Sequence, residues 1–174
     1  QKDLFTSGHQ VRVAQIALDI AKSFCWDWDR CNKVFRAGIL HDIGKIGIPS
    51  ETLIKPSKLT HNEFCLIKLH PEDGYNLIKD VPLLLPVAEI ILQHHERLNG
   101  SGYPKGLKSG EILIEAQIIA VSDVFEAMIS HRPYRPAFDI EIALKEITNN
   151  KNILYYAEVA DALVNLVSKN PCWL

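Results

Sequence analysis

HQVRVAQIALDIAKSF, residues His9 to Phe24, decides how the chain is read. His9, Val13, Ile16, Ile20 and Phe24 recur at three- and four-residue steps, which places them on one face of an α-helix. Apolar residues on such a face form a core. A histidine at its leading end is out of place unless it has work to do inside. Val13 and Ile16 are assigned to the core, as are Phe5 and Ile91.

Outward from this helix the same period persists. A second helix is expected from about Asp29, with Cys31, Val34, Phe35 and Gly38 on one side, running to His41-Asp42. Gly44 and Gly47 are expected to loosen the chain, and Pro49 marks a break, with Ser50 or Thr52 as a cap. Thr60 and Glu63 form the sequence signature of a capping box, opening a helix through Phe64, Ile67 and Leu69 towards His70-Pro71. Another follows through Tyr75, Leu77 and Ile78. Pro86 starts the next, where Val87, Ile91, His94 and His95 share a face. The glycine-rich run Asn99 to Gly110 reads as a loop. From about Ile114 a long helix carries Ala116, Ile119, Ala120, Asp123 and Ala127 on one stripe, ending near His131-Arg132-Pro133. Ile140 to Thr148 and Glu158 to Val167 close the chain as amphipathic segments. No segment alternates as a strand does. The expected fold is all-α, a single-domain helical bundle over residues 1–174.

Composition narrows the function classes. The chain has 174 residues, 47% of them hydrophobic and 23% charged, enough for a core without crosslinks. A formal net charge of −2 argues against duplex nucleic acid as a partner, which needs a basic face. Cys25, Cys31, Cys65 and Cys172 have no paired close spacing and are read as reduced thiols of a cytoplasmic protein. The longest apolar stretch, Val81 to Leu92, is interrupted by Pro82, Pro86 and Glu89 and is too short for a bilayer, so no membrane contact is expected. A start at Gln1 suggests excision from a longer chain.

The chemistry lies in seven side chains at the ends of apolar stretches: His9, His41, Asp42, His70, His94, His95 and Asp123. Imidazoles with carboxylates and no thiolate suit manganese, iron or zinc. Asp42, beside His41, is placed to bridge two ions, the arrangement of metal-assisted phosphoester hydrolysis. Asp123 interrupts an apolar stripe, and a buried carboxylate is costly unless a cation compensates it. Lys45 falls one turn beyond His41-Asp42, within reach of a phosphate or a leaving oxygen. Tyr103, after two glycines, could stack on a base. Arg132 and Arg135 flank a rigid Pro-Tyr and suit a phosphate. Each has a bland alternative: core histidine, connector loop, or basic helix end. His61 and His131 read as solvent-facing.

Taken together, HDIGKIGIP (His41 to Pro49), KPSKLTHNEF (Lys55 to Phe64), HPEDGYNLI (His70 to Ile78), HHERLNGSGYP (His94 to Pro104), and AVSDVFEAM with HRPYRPA (Ala120 to Ala137) resemble the HD-GYP family of cyclic-dinucleotide phosphodiesterases within the HD-domain metallohydrolases. The resemblance extends from His9 to about Ile147. It implies a bundle of the HD-domain type and two divalent ions, iron or manganese first, with zinc, nickel or magnesium as alternatives. One ion would be held by His9, His41, Asp42 and Asp123, the other by His70, His94 and His95, with Asp42 shared. Lys45 would be catalytic, and Tyr103, Arg132 and Arg135 would meet the substrate.

The implied reaction is hydrolysis of cyclic di-GMP to linear pGpG or GMP, with cyclic GMP-AMP as an alternative substrate. The implied partners are an upstream sensor or receiver domain and diguanylate cyclases, with a homodimer left open, in the bacterial cytoplasm. Two positions depart from the family: Phe5 stands where some relatives carry a glutamate for a third ion, and Asn99 where an aspartate is usual. With the Gln1 start these keep one alternative in view, a weakly active or inactive module that binds a cyclic dinucleotide or a partner; the His41-Asp42 pair alone would permit another, a generic HD nucleotide phosphohydrolase.

Overall fold

The computed structural model describes residues 4–55, 57–131 and 136–169, with side chains from residue 8 onward. Among the described residues there are nine α-helices and no strand. They are α1 Leu4–Ser23, α2 Trp28–Leu40, α3 Ser50–Leu53, α4 His61–Ile67, α5 His70–Ile78, α6 Leu85–Gln93, α7 Ile114–Ile129, α8 Ile140–Asn149 and α9 Ala157–Lys169. Short 3-10 turns cover Ile43–Gly47 and Pro82–Leu84. The all-α expectation holds.

Local chemistry explains most boundaries. Asp27 accepts from the Arg30 amide at 2.8 Å, so α2 starts at Trp28. At α4 the capping box is complete: Glu63 N donates to Thr60 Oγ1 at 3.3 Å and Thr60 N to Glu63 Oε2 at 2.7 Å. Proline opens α5 and α6, where a missing amide costs nothing.

The core is one cluster. Val13, Ile16 and Ile20 of α1 meet Val34 of α2, Ile91 of α6, Ile119 and Phe125 of α7, Ile147 of α8 and Leu163 of α9, all excluded from water. Helix α7 packs against α1, α2, α6, α8 and α9, which makes it the axis of the bundle. The core assignments of Val13, Ile16 and Ile91 hold, whereas the side chain of Phe5 lies outside the described residues. Cys25, Cys31 and Cys65 are free thiols, and Cys172 lies outside the described residues.

Neither Ser50 nor Thr52 caps α3, whose N-cap is Pro49 with no side-chain hydrogen bond, and a second local expectation fails as well. Gly44 does not loosen the chain; it belongs to the 3-10 turn Ile43–Gly47 and is buried. A Cβ there would stand 2.0 Å from the His70 carbonyl oxygen and 2.6 Å from Gly74 N, so glycine lets α5 lie directly on the turn. Gly38 plays the same part where α2 crosses α1, since its Cβ would fall 2.5 Å from Ala14 Cα. These two contacts seat α2 on α1 and α5 on the turn that follows α2. Gly38→Ala should therefore force α1 and α2 apart and cost about 1–3 kcal/mol, read as a lower midpoint in urea unfolding; an unchanged midpoint would refute the close crossing.

Candidate metal centre

Five imidazoles from four helix ends or faces meet in a continuous chain. Ring centroids lie 5.4 Å apart for His9 and His41, 5.4 Å for His41 and His94, 5.2 Å for His70 and His94, and 4.0 Å for His94 and His95. His9 is on α1, His41 caps α2, His70 opens α5, His94 caps α6, and Asp123 sits inside α7. His41 and Asp42 were expected to project as helix neighbours. In fact Asp42 lies just past the helix, at φ −99° and ψ 7°, and still reaches the same cluster.

The donor atoms fall into two groups. His9, His41 and Asp42 form one and His70, His94 and His95 the other, with one donor atom of each residue lying within 4.8 Å of those of its group. Asp42 faces both groups: Oδ2 is 3.5 Å from His41 Nε2, and Oδ1 is 3.4 Å from His70 Nε2. Asp123 Oδ1 lies 3.2 Å from His9 Nε2 and 3.9 Å from His41 Nε2, which adds it to the first group. Lys45 Nζ is 2.7 Å from Asp42 Oδ2.

Hydrogen bonds at the far nitrogens decide what the near ones can do. His41 Nδ1 donates to the Gly38 carbonyl at 2.8 Å, His70 Nδ1 to Ile67 at 2.7 Å, and His94 Nδ1 to Ile91 at 2.6 Å. A carbonyl only accepts, so each Nδ1 carries the proton and each Nε2 presents a lone pair. His70 Nε2 and His94 Nε2 then stand 3.3 Å apart, lone pair towards lone pair. The buried Nε2 of His41 has no hydrogen-bond partner. Two nitrogens ~2.1 Å from one cation would be separated by about 3.0–3.4 Å. The donor set and its spacing fit first-row divalent ions.

Charge follows the same division. Burial opposes ionisation of Asp42, yet His41, Lys45 and His70 hold its carboxyl well below the usual range. Burial likewise opposes the Asp123 charge, and the His9 hydrogen bond outweighs it, leaving that carboxyl well below its ordinary value too. Burial pushes the His95 imidazole down to about 3 and lowers His70 and His94, so the second group stays neutral. His9 goes the other way, to about 9, because Asp123 and Glu126 outweigh its burial.

The loop expected between Asn99 and Gly110 carries Tyr103 to this cluster. Tyr103 N donates to the His95 carbonyl at 3.3 Å, and its ring stacks on His95 with centroids 4.6 Å apart. The Lys68 ammonium lies 5.4 Å from the Tyr103 ring centroid. Glu96, fully buried, accepts from the amides of Lys105 at 2.7 Å and Leu107 at 2.9 Å and clamps the loop. Gly102 is required here because a Cβ would meet Glu96 Cα at 2.4 Å. Asn99 Oδ1 accepts from Ser101 N at 3.0 Å and Ser101 Oγ at 2.7 Å. That is an acceptor's role, which an aspartate at this position would also fill.

Arg132 and Arg135, with Pro133 and Tyr134 between them, lie outside the described residues. His61 and His131 are exposed, as expected. Sequence reasoning did not single out Glu126, whose carboxylate contacts His9 Nδ1; its position three residues after Asp123 on a helix was the available signal. A hollow of about 370 Å³ between α2, α6 and the start of α7 has no comparable donor set, and its Arg30–Glu115 pair is internally satisfied at 2.7 Å.

A family model described as HD domain matches residues 1–159. A protein of Thermotoga maritima named cyclic di-GMP phosphodiesterase is 42% identical over 167 residues, 95% of this chain and 45% of its own length. A protein of Vibrio cholerae named 3'3'-cGAMP-specific phosphodiesterase 1 is 37% identical over 148 residues, 85% of this chain and 33% of its own length. The chain thus spans less than half of either relative. An HDG"Y"P protein from Bdellovibrio bacteriovorus has a similar fold, with a TM-score of 0.76 at 21% identity over 93% of this chain and 52% of that one.

The depressed imidazoles predict an acid-labile metal-free state. Folded His95 binds its proton only near pH 3, whereas the unfolded residue binds it near the ordinary 6.5. Stability therefore falls as pH drops below 6.5, by about 2 kcal/mol for His95 between pH 7 and 5, and His70 and His94 act in the same direction. His9 does not offset this, because its contribution is already complete below pH 6.5 and is lost only as pH rises towards 9. Thermal melts in chelator should show the loss, and a flat profile from pH 7 to 5 would contradict it.

Proposed function

This chain belongs to the HD-domain family, and on that footing we propose that it is a metal-dependent phosphodiesterase of the HD-GYP type that opens a cyclic dinucleotide. Cyclic di-GMP is the first substrate, giving linear pGpG and, on further hydrolysis, GMP. The observation that carries this reading is Asp42, whose two carboxylate oxygens face separate imidazole groups at 3.5 and 3.4 Å. A relative named cyclic di-GMP phosphodiesterase, 42% identical over most of this chain, supports the substrate class.

His9, His41, Asp42 and Asp123 would hold one divalent ion, and His70, His94 and His95 the second, with Asp42 shared. Iron or manganese is proposed, with zinc, nickel or magnesium as alternatives that the same donors accept. When bound, such a pair supplies Lewis acidity towards a phosphodiester and activates water. The chain's own groups do the rest. The buried imidazoles and the Glu96-clamped loop hold the site rigid. Water forms a new bond to phosphorus as the bond to the 3'-oxygen breaks. Lys45, its ammonium beside Asp42, provides the proton that the leaving oxygen needs. Tyr103 lies against the substrate, and Arg132 and Arg135 bind the second phosphate.

Residues 1–174 are proposed to form one such domain, the C-terminal part of a longer bacterial signalling protein in the cytoplasm. An upstream sensor or receiver domain would regulate it, diguanylate cyclases would be partners, and the domain could pair as a homodimer. Among the described residues no helix is long and apolar enough to cross a membrane. The inactive-module reading drew on Asn99, Phe5 and the Gln1 start; Asn99 fills an acceptor role that an aspartate would also fill, and the Phe5 side chain lies outside the described residues.

Asp42→Ala should lose both ions and at least about 100-fold in turnover, measured as metal content and nucleotide products after anaerobic purification; an active, metal-replete variant would refute the sharing of Asp42. Lys45→Ala should keep both ions while kcat falls about 10²–10⁴-fold. Asn99→Asp should change kcat/KM by no more than about threefold. A panel of cyclic di-GMP, cyclic GMP-AMP, deoxynucleoside monophosphates and ppGpp tests the class: hydrolysis confined to the last two would overturn it.

A further inference from the structure

His9 differs from the other buried imidazoles of the cluster in what holds its far nitrogen. His41, His70 and His94 each give Nδ1–H to a neutral backbone carbonyl. His9 gives it to a carboxylate, that of Glu126, which is 0% exposed. The carboxylate is itself fixed: Oε1 accepts from Arg12 Nε at 2.6 Å and from Ser130 Oγ at 2.5 Å, leaving Oε2 turned to His9. Asp123, three residues earlier on α7, meets the opposite nitrogen of the same ring at 3.2 Å. One helix thus grips His9 at both ends.

We infer that Glu126 is a positioning residue that orients His9 and increases its donor strength towards the ion held by the His9, His41, Asp42 and Asp123 group. This rests on the two-ion reading proposed above. A carboxylate at Nδ1 fixes the proton there, points the Nε2 lone pair into the site, and adds negative charge to the imidazole. Glu126 also brings a third carboxylate close to this group, after Asp42 and Asp123, whereas the far nitrogens of His70 and His94 meet only carbonyls. Losing Glu126 should therefore weaken one ion and spare the other. A glutamate kept only to pair with Arg12 would lower overall stability without distinguishing the two ions.

The test titrates cobalt(II) into the purified full chain and into Glu126→Ala, Glu126→Gln and His70→Ala, following visible absorption and competition with a chelator. The wild-type chain should take up two ions. Glu126→Ala should bind one of them about 10–100-fold more weakly and the other unchanged, while His70→Ala weakens the opposite ion. Glu126→Gln keeps an acceptor but not the charge and should fall between wild type and alanine, a graded loss that a packing role would not give. If Glu126→Ala does not fold, the glutamine variant decides. A folded Glu126→Ala, or failing that Glu126→Gln, that binds both ions as the wild type does would overturn the role of Glu126 alone. A wild-type chain that takes up no ion would overturn the two-ion reading with it.

Discussion

The structure turns on one carboxylate placed between two sets of lone pairs. Asp42 is buried, and its oxygens are directed at His41 on one side and His70 on the other. An isolated ionised carboxylate at such depth would cost several kcal/mol. Here it is held ionised by the groups around it, and every other feature of the site serves to bring those groups within reach. The close crossing of α1 and α2 at Gly38 and the seat of α5 on Gly44 set the positions of His9, His41 and His70 relative to Asp42. Substituting either glycine would move ligands, not merely pack the core less well.

The helix ends are part of the same device. The last carbonyls of a helix lack intrahelical donors and carry partial negative charge. His41, His70 and His94 each use such a carbonyl, of Gly38, Ile67 and Ile91, in the final turns of α2, α4 and α6. The hydrogen bond that finishes the helix also selects the imidazole tautomer. Terminating a helix and aiming a donor nitrogen are one event, which explains why the histidines sit at the ends of apolar stretches.

Those ends were legible in the sequence because both signals are local. Helical period located α1, α6 and α7, the Thr60–Glu63 pair located α4, and seven metal-capable residues stood out against apolar stretches, although His9 and Asp123 lie within α1 and α7. What was not legible depends on contacts between distant segments. Glu126 meets His9 across 117 positions, and its spacing from Asp123 puts it on the same face of α7 without showing which ring it meets. Gly44 looked like a flexible link because its partner, the His70 carbonyl, belongs to another helix. Tyr103 shows the same limit: its place after two glycines pointed to a base, whereas one face of the ring is already stacked on His95. The loop's own hydrogen bonding, by contrast, is local: Asn99 serves Ser101 as an acceptor, two residues away.

Without cations this cluster violates the rule that buried polar atoms find partners. His41 Nε2 has none, and the Nε2 atoms of His70 and His94 oppose each other at 3.3 Å. Burial lowers both rings, but carboxylates at both nitrogens of His9 raise it to about 9, whereas His95 is pushed down to about 3. Protonating the second group would put like charges on touching rings in a buried space. Core rearrangement could satisfy those nitrogens, but Nδ1 of His70 and His94 is anchored and the packing around His41 is closed. A sequence that keeps such local conflict at its centre, with consistent capping and packing elsewhere, has reserved that place for function. Divalent ions would meet the lone pairs of both groups at once, where protonation would add positive charge to a buried cluster of imidazoles.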